Sequence, residues 1–458
     1  MPSLKKYRIV IGENATFNEK RAADDLSRAI RLVLGVKLEC VTDASEPYDH
    51  EIVLGKTTRE TIDGLEFINE PDRNFDYVIR YVGTRLYMRG FGVDKYFCAP
   101  YKTYNKMDDG AIGTALAVFR FSQEVLGYDM AFSVHDSYPV LDDVEIDERC
   151  NFDYTREYIL SKMPEKIEGA AWYSLPSPSL AQQGCSIFKS SEGRLVVIDG
   201  GCGANTEYLL RCLEYLSDGK KPVVHTWLFS HLHGDHYGAI CNILKCEHLR
   251  ERLEIENMYI GLPPLEYFTE WSPECSARYE EPYKLMENVG ELMGTKLHRH
   301  VEGEHIIVDD LDFHVIRLPK ITGPAPEGGK LMNINDTSVL FRLTVGAQKI
   351  LLLGDAERHC DEELLRDYAE YLPCDVLQVP HHGNGNVSYK CYEAMQAKLY
   401  VFQTCEMHWY SEGYEGYNSR NIGMVRTMYF IKRLGVDTSK LISDSKGILS
   451  FELPIKNI

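Results

Sequence analysis

Four side chains able to hold a metal fall within six residues of this sequence: His231, His233, Asp235 and His236. His231 and His233 alternate along an extended turn, so both can point one way and grip one cation. Asp235 and His236 come where the chain turns towards a helix and can face a second cation beside the first. Imidazole and carboxylate together suit zinc, with manganese or iron as alternatives. The bland alternative is a solvated histidine-rich turn. That alternative leaves unexplained the apolar run ahead of it: residues 223–230 read Val-Val-His-Thr-Trp-Leu-Phe-Ser, the pattern of a buried strand.

The His-x-His-x-Asp-His string resembles the signature of the metallo-β-lactamase superfamily, and three further stretches resemble that family in its order. Residues 195–201, Leu-Val-Val-Ile-Asp-Gly-Gly, resemble its strand ending in Asp-Gly, which implies that Asp199 buttresses the metal loop. Residues 351–357, Leu-Leu-Leu-Gly-Asp-Ala-Glu, resemble the strand whose terminal aspartate bridges two metals, here Asp355. Residues 379–383, Val-Pro-His-His-Gly, resemble a motif of the branch that holds DNA-uptake channel hydrolases and a teichoic-acid phosphorylcholine esterase. The resemblance covers about residues 169–454. It implies a four-layer αββα sandwich with the metals at the sheet edges and a metal-activated hydroxide that Asp235 ligates and orients. His381 and His382 then act either as ligands or as donors to the charge building on the substrate oxygen.

Two departures from that family bear on the site. Where the wider superfamily has a histidine before a Ser-Val strand, residues 333–339 read Asn-Ile-Asn-Asp-Thr-Ser-Val, as in the DNA-uptake branch. A neutral amide is a poor ligand, so Asn335 leaves the first metal with His231, His233 and the Asp355 bridge. His298 and His300 alternate on one strand and are the best substitutes, although packing explains them as well. Further on, residues 399–408 resemble the strand and histidine that complete the second metal, which points to His408. Cys405 is simplest as a buried thiol. The aromatic run at 409–417 (Trp409, Tyr410, Tyr414, Tyr417) reads as packing or as a stacking wall for a sugar, a base or a quaternary ammonium.

The rest of the chain must present this site. Its 458 residues allow two or three domains. Residues 1–150 read as a small α/β domain: a strand at 6–12, an amphipathic helix at 18–34, a strand at 51–55, a hairpin at 77–90 and a helix at 113–126. That order resembles the small α/β domain preceding the catalytic barrel of α-glucuronidases and family-20 hexosaminidases. It holds no catalytic constellation. A linker at 151–168 leads to the metallo-β-lactamase-like hydrolase domain at 169–458.

Composition narrows the partners. The formal net charge of −19 opposes nucleic acid, whose binding rests on neutralising phosphates. No run is long and apolar enough for a signal peptide or a membrane span, and thirteen scattered cysteines read as reduced thiols, so a cytoplasmic location is expected. The sequence therefore points to a two-domain metallohydrolase of a phosphodiester, phosphocholine-like or other ester in a small-molecule or glycan-linked substrate. Its competitors are a nuclease of the same branch and a non-catalytic binding protein with a degraded metal site. A flavodiiron-type redox enzyme is disfavoured, because that class carries Glu in the signature and an attached flavin-binding domain.

Overall fold

A computed structural model describes residues 2–67, 69–70, 73, 75–92, 112–128, 138–178, 182–269, 273–319, 334–410 and 418–458. The chain divides into two compact units, Met1–Ile159 with Glu406–Val425, and Leu160–Cys405 with Arg426–Ile458.

The first unit is built on a six-stranded sheet of β1 (Arg8–Ile11), β2 (Cys40–Thr42), β3 (Glu51–Leu54), β4 (Tyr77–Val82), β5 (Arg85–Gly90) and β6 (Phe152–Tyr154), in the order β2-β1-β3-β5-β4-β6. The helix Phe17–Leu34 begins with a reciprocal cap. The Thr16 hydroxyl accepts from the Glu19 backbone, and Glu19 accepts from the Thr16 backbone. Its apolar stripe, Ala22, Ala23, Leu26, Ile30 and Val33, is buried. At the start of β3, the fully buried Glu51 is neutralised by Arg8, Arg59 and Arg85, so a charge inside the sheet is matched. The expected linker differs here: β6 lies within it and pairs with β4, completing the sheet.

The second unit contains two seven-stranded sheets. In one, β7 (Ala171–Ser174), β8 (Cys185–Lys189), β9 (Leu195–Asp199), β10 (Val223–Leu228), β11 (Glu254–Ile260) and β12 (Lys296–Arg299) run in sequence order, parallel from β9 onward. In the other, β13 (His305–Val308), β14 (Leu311–Arg317), β15 (Leu340–Val345) and β16 (Gln348–Leu352) are antiparallel neighbours, followed in parallel by β17 (Val376–Gln378), β18 (Leu399–Phe402) and β19 (Leu441–Ser443). The last strand, β20 (Leu449–Glu452), returns to pair with β7. One apolar core joins the sheets face to face, with Trp172, Phe188, Val196 and Leu228 against Phe313, Phe341, Ile350, Val376 and Val401. All five residues of β9 are buried, as expected of a strand covered on both faces. On its outer side Leu209, from the helix Thr206–Leu216, lies with Trp227 over Gly200. Among the described residues no helix is long and apolar enough to cross a membrane.

This architecture explains where the chemistry sits. β9, β10, β16, β17 and β18 each release the chain at their carboxyl ends into residues of the signature motifs or directly beside them, the edge at which α/β proteins gather ligands.

The segment Glu406–Val425 belongs to the first unit although the chain on either side of it belongs to the second. Glu406, fully buried, accepts a hydrogen bond of 2.8 Å from Tyr77 Oη and lies 3.4 Å from Arg120 Nη1. The first 150 residues therefore do not make up the first unit alone. Tyr77→Phe should leave a buried carboxylate one donor short and lower stability by about 1–3 kcal/mol in urea unfolding; an unchanged midpoint would show that this contact holds nothing.

Candidate metal centre

The site begins with Asp199, at the end of β9, in the left-handed region at φ 65°. Its Oδ1 accepts from the Ser230 backbone at 2.8 Å, and its Oδ2 meets both Ser230 Oγ and His236 Nδ1 at 2.8 Å. That last contact commits Nδ1 of His236 as the donor and turns Nε2 inward. Gly184 is needed for the same ring, since a β-carbon there would stand 2.5 Å from His236 Nδ1 and Cε1. Asp235 and His236 lie in the first turn of the helix Gly234–Lys245, which follows His231 and His233 directly.

After β16, Gly354 at φ 50° lets the chain pass Ser230 and Ser338, which a β-carbon would approach to 2.9 and 3.0 Å. Asp355 follows and is buried. After β17, His381 and His382 both adopt left-handed backbone (φ 49° and 55°) before Gly383, a strained arrangement costing about 1–3 kcal/mol per residue. The strain aims the two rings apart. His382 Nδ1 donates to the Gln403 carbonyl at 2.7 Å, so its Nε2 also points inward. His381 instead meets Glu357 Oε1 through Nδ1 at 3.0 Å and Asn335 Nδ2 through Nε2 at 3.3 Å.

Two donor groups result: His231, His233 and Asp355, and Asp235, His236, Asp355 and His382. In the second, His236 Nε2 lies 3.3 Å from His382 Nε2 and 3.2 Å from Asp355 Oδ1, and His382 Nε2 lies 3.4 Å from Asp355 Oδ2 and from Asp235 Oδ2. Bonds of about 2.0–2.1 Å to a tetrahedral zinc set its donors roughly 3.3–3.4 Å apart, so this spacing fits the ion. In the first, His231 Nε2 is 3.1 Å from His233 Nδ1 and 3.8 Å from Asp355 Oδ2, a looser set with one donor fewer. Inward lone pairs and carboxylates crowd together, and something positive must lie among them. Without a cation, protons take that place. Burial alone would strip the proton from His382, but Asp355 and Asp235 hold it, raising the ring to about 10, and Asp355 and Asp199 do the same for His236. Burial lowers His231 and takes His233 down to about 4, leaving both neutral and ready to ligate.

The structure thus gathers His231, His233, Asp235, His236 and Asp355, and it places His382 in the position for which the sequence suggested His408. His408 is buried on the short helix Glu406–Tyr410, which belongs to the first unit, and is in neither donor group. Trp409, on the same helix, is buried rather than displayed, and residues 411–417 of the aromatic run lie outside the described residues. His298 bonds Asn257 Oδ1 at 3.1 Å and His300 packs between Tyr259 and Phe341, so neither enters the donor groups. Asn335 donates to Glu357 at 2.6 Å. Missed from the sequence were Gln182, which donates to Asp235 Oδ2 at 3.2 Å, Asn384, which donates to Gln182 Oε1 at 3.0 Å, and Gln403. The position of Gln403 just past the carboxyl end of β18 was the available signal for it.

The family model of the metallo-beta-lactamase superfamily matches residues 181–401. ComE operon protein 3 of Bacillus subtilis (strain 168) is 24% identical over 175 residues, 38% of this chain but only 19% of that protein, so the chain matches about a fifth of that relative's length. Among solved structures, the metallo-beta-lactamase fold protein YhfI of Bacillus subtilis aligns at 9% identity over 61% of this chain and 99% of its own, with a TM-score of 0.36. Zn(2+)-bound PqqB of Methylobacterium extorquens aligns at 11% identity over 59% of this chain and 88% of its own, with a TM-score of 0.39.

Since Asp199 orients His236 without joining either donor group, Asp199→Ala should weaken zinc binding about 10–100-fold in a competition titration with a chromogenic chelator, while circular dichroism stays native. Unaltered affinity would remove Asp199 from the support of the centre.

Proposed function

We propose that the metallo-beta-lactamase superfamily domain at residues 181–401 makes this protein a metal-dependent hydrolase of a phosphodiester or phosphocholine-like ester. The observation that carries the reading is the pair of donor groups sharing Asp355. Zinc ions held there would supply Lewis acidity and bring the pKa of a coordinated water towards neutrality. His231 and His233 would hold one ion and Asp235, His236 and His382 the other, with Asp355 common to both donor groups. Gln182 fixes Asp235, so that its carboxylate can both ligate and orient the attacking water. His381, held by Glu357 on Nδ1 and by Asn335 on Nε2, stands beside the site, and once released from Asn335 a protonated Nε2 would donate to the charge developing on the substrate oxygen. A phosphoester suits two adjacent cations because its anionic oxygens match them. The net charge of −19 favours a small or singly charged ester over a long polyanion. If the first unit is kin to its carbohydrate-enzyme counterparts, the substrate carries a glycan.

Zinc titrated into the chelator-treated protein should bind in two steps, the tighter at the four-donor group. One tight step of two equivalents would show that the three-donor group has a further ligand. Zinc-loaded protein should hydrolyse bis-nitrophenyl phosphate or nitrophenyl phosphorylcholine, Asp355→Ala should abolish turnover and lower metal content, and duplex DNA should be cleaved little at physiological salt. Full metal content and activity in Asp355→Ala would refute the bridging role, and efficient DNA cleavage lost in His231→Ala would make the enzyme a nuclease.

A further inference from the structure

Two arginines stand beside the His381–His382 turn, and one of them has a buried nitrogen without a hydrogen-bond partner. The helix Asn418–Arg433 is tied to that turn: Thr427 Oγ1 donates to Asn386 Oδ1 at 3.2 Å, and Asn386 Nδ2 donates to the Pro380 carbonyl at 3.1 Å. The preceding residue, Arg426, is thereby laid over the turn, its Nη2 3.5 Å from where a β-carbon on Gly385 would stand. The Nε of Arg426 is buried without a hydrogen-bond partner. Arg358 follows Glu357 in the loop that supplies Asp355, and its side chain is exposed. Among the described residues neither guanidinium makes a hydrogen bond or an ion pair.

The two groups also sense one another. Burial first, and then repulsion from Arg358, hold Arg426 below its ordinary value, while Tyr392 and Glu357 act in the opposite sense. Glu357 is the acid facing them, but its Oε1 is already engaged by Asn335 at 2.6 Å and His381 at 3.0 Å. An arginine cannot shed its charge to relieve such a position. A partly buried guanidinium whose Nε is shielded from water without a partner favours an anion beside it. The planar fork of donors suits the tetrahedral oxygens of a phosphate.

We propose that Arg426 and Arg358 form a subsite for a phosphate group that the substrate carries beyond the ester being cleaved. Its place in catalysis rests on the metallohydrolase reading; the binding of phosphate does not. Chelator-treated, metal-free protein is titrated calorimetrically with inorganic phosphate, beside Arg426→Ala, Arg426→Lys, Arg358→Ala and the double alanine variant. The wild type should bind, and each alanine should weaken binding about tenfold or more, as loss of a charge-assisted hydrogen bond implies, with Arg426→Lys recovering part of it. Arg358→Ala, on an exposed side chain, decides the matter if Arg426→Ala fails to fold. Absence of phosphate binding by the wild type, or equal binding by Arg358→Ala or the double variant, overturns the subsite. In zinc-loaded protein, the ratio of kcat/KM for a nitrophenyl phosphodiester bearing an extra terminal phosphate to that for bis-nitrophenyl phosphate should fall about tenfold in the double variant, through KM. An unchanged ratio overturns the role in substrate choice. If wild-type protein hydrolyses neither ester, the hydrolase reading fails, and the phosphate titration still decides the subsite.

Discussion

The sharing of one buried carboxylate, Asp355, between two sets of ligand atoms is the constraint on which the second unit depends. Three aspartates and four histidines meet there largely buried, and each ionised carboxylate removed from water costs several kcal/mol unless it is matched. Among the seven side chains the match is circular. Asp199 and Asp355 hold His236, Asp235 and Asp355 hold His382, and all of these contacts fall between 2.8 and 3.4 Å. Such a cluster collapses or swells unless something rigid holds it, and two sheets packed over an apolar core provide that rigidity.

The cost of the arrangement is visible in the backbone. Asp199, His381 and His382 sit in left-handed conformations that side-chain-bearing residues avoid, and Gly354 shares the conformation at the close approach to Ser230. Each lies at the carboxyl end of a strand or within four residues of it, where the neighbouring hydrogen-bonded ladder can impose the angle. The network reaches further through Gln403. Its backbone carbonyl holds His382, while its side-chain Nε2 donates to Ser174 Oγ, the Cys185 carbonyl and Ser186 Oγ across the sandwich. The orientation of one imidazole is thereby linked to the packing of both sheets.

Much of this was legible in the sequence because the relevant signals are local. The apolar run ahead of His231 is a strand, the four ligands follow it within six residues, and Asp199 and Asp355 end runs of the same kind. The amphipathic stripe of the helix Phe17–Leu34 and the hairpin of β4 and β5 were equally local. What was not legible depended on long-range pairing. β6 gives no periodic signal in three residues, and only pairing with β4 makes it a strand. His382 and His408 were interchangeable on the page, since each follows a strand. The choice between them came from a pair of left-handed residues and from Glu406, whose burial with Tyr77 carries His408 into the first unit. Gln182 and Asn384 bond across 202 residues of chain, which no local pattern can announce.

Anomalous diffraction at the zinc edge, from crystals grown with zinc, tests most directly whether this cluster is a metal centre. Two peaks should appear about 3.5–4 Å apart with Asp355 between them. The stronger should lie among Asp235, His236 and His382, and the weaker beside His231 and His233. Density without a peak at Asp355, or zinc bound only elsewhere in the molecule, would contradict the assignment and leave the histidines as a hydrogen-bonded network without metal.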